Sequence, residues 1–205
     1  MTFNSYSPFN NLYYGINMNK WLLLDSDIHN FSEDDDILNL MKQYKKVAFG
    51  DKFNDNIDYL PEGITHLHLG RKFDKPLNNL PLSLKCLLIE ANKLNWCDFS
   101  QSLDFLPSGL EFLSIKLSNK FNYPIDLLPS SLKYLYLGCK GFKHPINNLP
   151  CNLEELSIVN FDIKNTHDLP LKLKEFNITE KLNNIEKADL TTNLISKYPE
   201  IIFQI

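Results

Sequence analysis

Leu-Pro dipeptides recur six times along the chain, at Leu60-Pro61, Leu80-Pro81, Leu106-Pro107, Leu128-Pro129, Leu149-Pro150 and Leu169-Pro170. Each is followed by apolar residues three, six and eight positions past the proline: Ile64/Leu67/Leu69, Leu84/Leu87/Ile89, Leu110/Leu113/Ile115, Leu132/Leu135/Leu137, Leu153/Leu156/Ile158 and Leu173/Phe176/Ile178. No residue in that set is polar. Eight residues before the proline stand Phe53, Phe73, Phe121 and Phe142, while Phe99 heads a longer third unit and Phe161 is displaced by one. A recurrence of roughly 20 to 26 residues is the length at which a short strand plus a return segment closes one coil, and coils stack into a solenoid.

The residues six and eight positions past each proline have period two, so they share one side of a short strand. A lone strand cannot bury that side. Stacking coils about 4.8 Å apart pairs the strands in parallel and aligns like residues in internal columns. A return segment such as Phe121-Asn122-Tyr123-Pro124-Ile125-Asp126-Leu127-Leu128-Pro129 carries two prolines, which remove donors and disfavour a helix. The convex side is therefore expected to be extended or turned.

The full pattern, Phe-Asn-x-Pro-Ile-x-x-Leu-Pro-x-x-Leu-x-x-Leu-x-Leu, resembles FNIP repeats, a leucine-rich-repeat variant of giant DNA viruses and social amoebae. It reads here from Phe53-Asn54 to Leu69, from Phe73-Asp74-Lys75-Pro76-Leu77 to Ile89, from Phe121-Asn122-Tyr123-Pro124-Ile125 to Leu137, and from Phe142-Lys143-His144-Pro145-Ile146 to Ile158. The resemblance spans residues 46–179. It implies an α/β leucine-rich-repeat-like solenoid with a parallel sheet on its concave face. Ser102 and Asn165 stand where the second proline is expected, and no asparagine recurs after the strands, which leaves the Phe column to fill the turn.

Stacked coils expose apolar columns at their ends, so the termini are expected to depart from the repeat and cap it. Three parts follow: an N-terminal cap over 1–45, the array over 46–179 and a C-terminal cap over 180–205. Ser32 followed by Glu33, Asp34, Asp35 and Asp36 reads as a helix N-cap with an acidic first turn, before a stripe of Ile37, Leu40, Met41 and Tyr44. Val47-Ala48-Phe49-Gly50 holds the same register to Phe53 as Leu67-His68-Leu69-Gly70 does to Phe73. Trp21-Leu22-Leu23-Leu24 reads as a capping strand or a short helix. At the far end, a helix from Asn184 to Lys197 with Leu190 and Leu194 inward should stop at Pro199, and Ile201 to Phe203 should add a strand.

The 205 residues, 43% hydrophobic, suffice for one elongated domain with an apolar core. A net charge of -4 without a basic cluster argues against nucleic acid. Cys86, Cys97, Cys139 and Cys151 show neither zinc-knuckle nor disulfide spacing and read as reduced. Without a secretory pattern or an apolar run long enough to span a bilayer, the expected location is cytoplasmic, in the host if the chain is viral.

Residues five and seven positions past each proline face the concave surface: Lys46/Ala48, His66/His68, Cys86/Leu88, Phe112/Ser114, Tyr134/Tyr136, Glu155/Ser157 and Glu175/Asn177. An aromatic centre of Phe112, Tyr134 and Tyr136, with Leu88 beside it, suits a protein or peptide partner, and His66, His68, Glu155 and Glu175 flank it as specificity groups. The same aromatics could instead serve cross-strand packing. His66, His68 and Cys86 offer zinc-type donors, but a fourth ligand is not evident, so neither a metal nor a cofactor is expected. No phosphate-cradling glycine loop or Gly-x-Ser-x-Gly elbow is present, and no enzyme is expected. The expected function is a non-catalytic protein-protein interaction scaffold. Many FNIP proteins of giant viruses join an F-box to the repeats, so the resemblance also implies an alternative, a ubiquitin-ligase substrate receptor with a ligase adaptor as partner. Residues 1–45 lack a Leu-Pro-x-Glu-Ile-like opening and hold one helix where an F-box needs three.

Overall fold

Among the described residues, nine short strands stack side by side in sequence order, every neighbouring pair parallel, to give one continuous sheet. The computed structural model describes residues 21–24, 33–90, 96–159, 168–179 and 192–204. The strands are β1 (Leu22–Leu24), β2 (Lys46–Phe49), β3 (His66–Leu69), β4 (Cys86–Ile89), β5 (Phe112–Ser118), β6 (Tyr134–Cys139), β7 (Glu155–Val159), β8 (Glu175–Thr179) and β9 (Ile202–Gln204). One helix, α1 (Asp35–Met41), lies between β1 and β2. The described segments between strands from β2 to β8 hold turns and no helix. This is the stacked solenoid that the Leu-Pro spacing predicts, with the leucine-rich-repeat-like parallel sheet that the resemblance implies.

The expected columns form. Val47, Leu67, Leu87, Leu113 and Leu135 pair in register across five strands, Leu156 and Phe176 continue the row, and all are buried. The second inward row runs Leu69, Ile89, Ile115, Leu137, Ile158 and Ile178. Rings of Phe53, Phe73, Phe99, Phe121 and Phe142 stack coil on coil with centroids 6.1–6.3 Å apart and planes within 13°. Large stacked side chains of this kind carry much of a core's burial energy.

Two devices set the turn of each coil. The amides of Leu84, Leu110, Leu132, Leu153 and Leu173 each donate to the carbonyl of Pro81, Pro107, Pro129, Pro150 and Pro170, at 3.0 Å. Pro61 begins a different turn, with Gly63 at φ 97°, where a side chain would be strained. Gly70 is required for another reason: a Cβ there would overlap the Gly50 carbonyl of the preceding coil. The polar residue after three of these Phe bonds the next coil, since Asn54 Oδ1 accepts from the Asp74 amide, Asp74 Oδ1 from the Ser100 amide, and Asn122 Oδ1 from the Lys143 amide (2.8–3.0 Å). The turn therefore holds both a Phe column and a polar ladder, whereas the sequence reading allowed it only the former.

The caps depart from expectation in detail. The helix N-cap is Asp34, whose Oδ1 accepts from the amides of Asp36 and Ile37 at 3.1 Å; Ser32 lies outside the described residues. A carboxylate here both satisfies free amides and meets the positive end of the helix. Met41 is buried, and Leu38 packs against the core in place of Leu40, which is exposed. Leu22–Leu24 is a strand, paired with β2. Residues 192–197 are helical with Leu194 buried, while Asn184 and Leu190 lie outside the described residues. The final strand starts at Ile202, one residue later than expected. The stretch inserted ahead of Phe99 includes residues 91–95, outside the described residues; further on, the pairing of β5 with β6 shifts register between Ile115 and Ser118, and the Ser118 hydroxyl donates to the Phe99 carbonyl at 2.7 Å.

The open face of the sheet as candidate functional site

Alternation on these strands puts residues five, seven and nine positions past the proline on the face away from the core. Strand pairing sets them in two long rows. One runs Lys46, His66, Cys86, Phe112, Tyr134, Glu155 and Glu175; the other runs Ala48, His68, Leu88, Ser114, Tyr136, Ser157 and Asn177. Every sequence-predicted contact residue stands in one of these rows.

Accessibility corrects two of them. Leu88 is 1% exposed and Phe112 7%, so neither offers a surface to a partner. They form a small apolar cluster of their own, with Trp21, Cys86, Tyr134 and Tyr136 packed around it. Phe112 and Tyr134 rings lie 6.1 Å apart, a cross-strand aromatic pair. Tyr134, Tyr136, His66, His68, Glu155 and Glu175 remain half-buried, each with part of its surface in water.

Sequence reasoning stopped at the seventh position and so missed Glu90 and Lys116, which occupy the ninth. Extending the same alternation by one step would have found them. The Glu90 carboxylate, 7% exposed, accepts from the Ser114 hydroxyl at 2.8 Å and pairs with the Lys116 ammonium at 3.3 Å. Lys116 Nζ also lies 5.6 Å from the centre of the Tyr136 ring, a cation–π distance. A buried carboxylate without such partners would be costly.

Burial sets the protonation of this face. It lowers the pKa of His66, helped by Lys46, and lowers that of His68 against the pull of Glu90 and Asp51, so both imidazoles are neutral at pH 7. Burial and then the Glu90 carboxylate push the Cys86 thiol up to about 12, and burial pushes the Tyr136 hydroxyl up to about 12. Glu155 is raised above the ordinary carboxylate range, first by burial and then by its neighbour Glu175. The carboxylate of Glu175 accepts from Asn177 Nδ2 at 3.2 Å and from Gln204 Nε2 at 2.8 Å.

This chemistry does not favour catalysis. A protonated Cys86 is neither a nucleophile nor a ready zinc ligand. His66 stands opposite Cys86 and His68 opposite Leu88, and among the described residues no group of three or more His, Cys, Asp or Glu side chains is placed to hold a metal ion. Elsewhere, a shallow cleft lined by Glu111, Ser131, Lys133, Asn152, Glu154 and Lys172 sits beside the sheet. Its carboxylates are already paired: Glu111 with Lys133 at 2.8 Å and with Lys85 at 3.4 Å, and Glu154 with Lys174, while Lys172 donates to Asn152 Oδ1 at 2.7 Å.

No described helix is long and apolar enough to cross a membrane. Residues 1–20 and 25–32, where the helices of an F-box would fall, lie outside the described residues.

Comparison with known proteins agrees with the architecture. Residues 53–89 match the family model described as FNIP Repeat. No curated protein matches the sequence. Among solved structures, that of CroV588, described as a novel circular LRR protein, is similar with a TM-score of 0.55 and 24% identity over 80% of this chain. The chain spans 28% of that protein's length, so the likeness speaks to the fold alone. Stacked parallel strands, the Leu-Pro coil and the matched segment together describe a leucine-rich-repeat-like solenoid in which residues 53–89 form an FNIP repeat.

Proposed function

We propose that the protein is a non-catalytic scaffold that binds a protein or peptide segment across the open face of its sheet. One observation carries this reading: the inward positions stay apolar in every coil, while the outward positions run through Lys, His, Cys, Phe, Tyr and Glu. The coil demands none of these outward choices, so they are free to be set by a partner. Tyr134 and Tyr136 supply stiff contact surface at low entropic cost. Glu155 and Glu175, held side by side in adjacent strands, create a local excess of negative charge that a partner's Lys or Arg would relieve. The ligand chemistry is thus an aromatic or aliphatic anchor followed by a basic residue. His66, His68 and Lys46 mark the opposite end, where the Lys46 ammonium disfavours a second cation.

Selecting peptides from a random displayed library on the purified protein tests this. Enriched sequences should pair an apolar anchor with a basic residue, and should lose about tenfold or more in affinity on Tyr134→Ser or Glu155→Gln. Enriched peptides indifferent to both substitutions would remove the open face as the binding surface.

A further inference from the structure

A second surface stands at the corner of the coils, just before each Leu-Pro, and it owes nothing to the open face. Tyr59, Phe105 and Leu127 occupy one equivalent position, two residues ahead of the proline, and are 59%, 65% and 66% exposed. The coil does not require them: the same position holds Asn79 and Asn148 in coils that close and stack in the same way. Exposed large apolar side chains that recur in register where a polar residue serves equally well are the mark of a contact surface.

The residue just before each of them sharpens the pattern. Asp58 precedes Tyr59, Asp104 precedes Phe105, and Asp126 precedes Leu127, whereas Asn78 precedes Asn79 and Asn147 precedes Asn148. In these five coils carboxylate and apolar residue arrive together or are both replaced by amides, while the sixth carries His167 and Asp168. In the coil between Tyr59 and Phe105, Leu82 adds a further apolar side chain, 75% exposed, one residue past its proline. The result is an apolar ridge running along the solenoid axis with a parallel line of negative charge.

We propose that this ridge docks a basic amphipathic helix presented by a partner protein. Charge complementarity selects the sign: the aspartates call for Lys or Arg beside the helix's apolar stripe. Spacing selects the helix. Coils stack about 4.8 Å apart, close to the ~5.4 Å pitch of an α-helix, so one helical turn meets one coil. An extended strand repeats its side chains on one face every ~6.6 Å or more and would lose register within three coils. Tyr59 to Leu127 spans three coil steps, roughly 15 Å, which about 10 helical residues cover. The same aspartates disfavour an anionic membrane.

A labelled synthetic helix of about 14 residues, with leucines three and four apart and lysines flanking them, tests the proposal by fluorescence anisotropy. Wild-type protein should bind it, and should not bind a scrambled peptide or one with glutamates in place of the lysines. Because asparagine is native at these positions in sister coils, a Tyr59→Asn/Phe105→Asn/Leu127→Asn variant should keep its melting temperature while affinity falls about tenfold or more. An Asp58→Asn/Asp104→Asn/Asp126→Asn variant should weaken binding roughly threefold to tenfold and flatten its salt dependence. Equal binding of the scrambled peptide, no binding up to about 1 mM, or loss on Tyr134→Ser without loss in the ridge variant would overturn it. So would binding to neutral phosphatidylcholine vesicles that the ridge variant abolishes, which would assign the ridge to a lipid surface.

Discussion

The two faces of one sheet obey different rules although they are built from alternate residues of the same strands. On the inward face, Leu67, Leu87, Leu113 and Leu135 repeat one solution, because each is walled by an aliphatic residue in the coils before and after it. On the outward face, the same row changes from Lys46 through His66, Cys86, Phe112 and Tyr134 to Glu155 and Glu175. Stacking constrains a side chain only where both neighbours and the return segment press on it. The outward row is confined laterally and therefore free to vary.

The sharpest way to break this contrast is to cut a hole in the inward face. Leu135→Ala should cost about 2–5 kcal/mol in urea denaturation, since both adjoining coils border the cavity. A smaller loss would mean that the coils relax independently. On the outward face, the largest effect should fall on the group that sequence reasoning missed: Lys116→Met takes the counter-charge from the buried Glu90 carboxylate, leaving it the Ser114 hydroxyl, and should cost about 1–3 kcal/mol by the same measurement. Tyr136→Ala should follow at about 1–2 kcal/mol, because its ring packs against the Leu88–Phe112 cluster. That exceeds the near-neutral cost expected of a fully exposed contact residue.

The smallest effect has a distinctive sign. Folding raises the pKa of Glu155, so its ionised form opposes the fold, and wild-type stability should decline as pH climbs from the unfolded-state value through the raised folded one. Glu155→Gln should remove that decline, gaining less than about 1 kcal/mol at neutral pH and nothing below the carboxylate range. Thermal melts across pH measure both. A loss at neutral pH would show that the ionised carboxylate has a favourable partner.

What could be read from the sequence tracks what repeats. Period-two leucines and the Leu-Pro spacing fix the strands, their register and the inward columns, because those features depend on local geometry and on copies of themselves. Burial of Leu88 and Phe112 depends on how neighbours of different size crowd one another on the outer face, and no local pattern encodes it. Glu90 and Lys116 escaped for a simpler reason: the alternation was followed for two steps and not three. The helix cap was misplaced among adjacent polar residues because the choice rests on where helical backbone angles begin, which four successive carboxylates leave open.

The polar ladder beside the Phe column has an evolutionary consequence. Since Asn54 serves Asp74, Asp74 serves Ser100 and Asn122 serves Lys143, several units bring their own adhesive for the one that follows. A duplicated stretch of gene could therefore be spliced into the array with both junctions already compatible, lengthening the molecule by about 4.8 Å per copy. Growth or shrinkage by whole modules would then be nearly neutral for stability, and the repertoire of surfaces could diversify by copy number before any single residue changed.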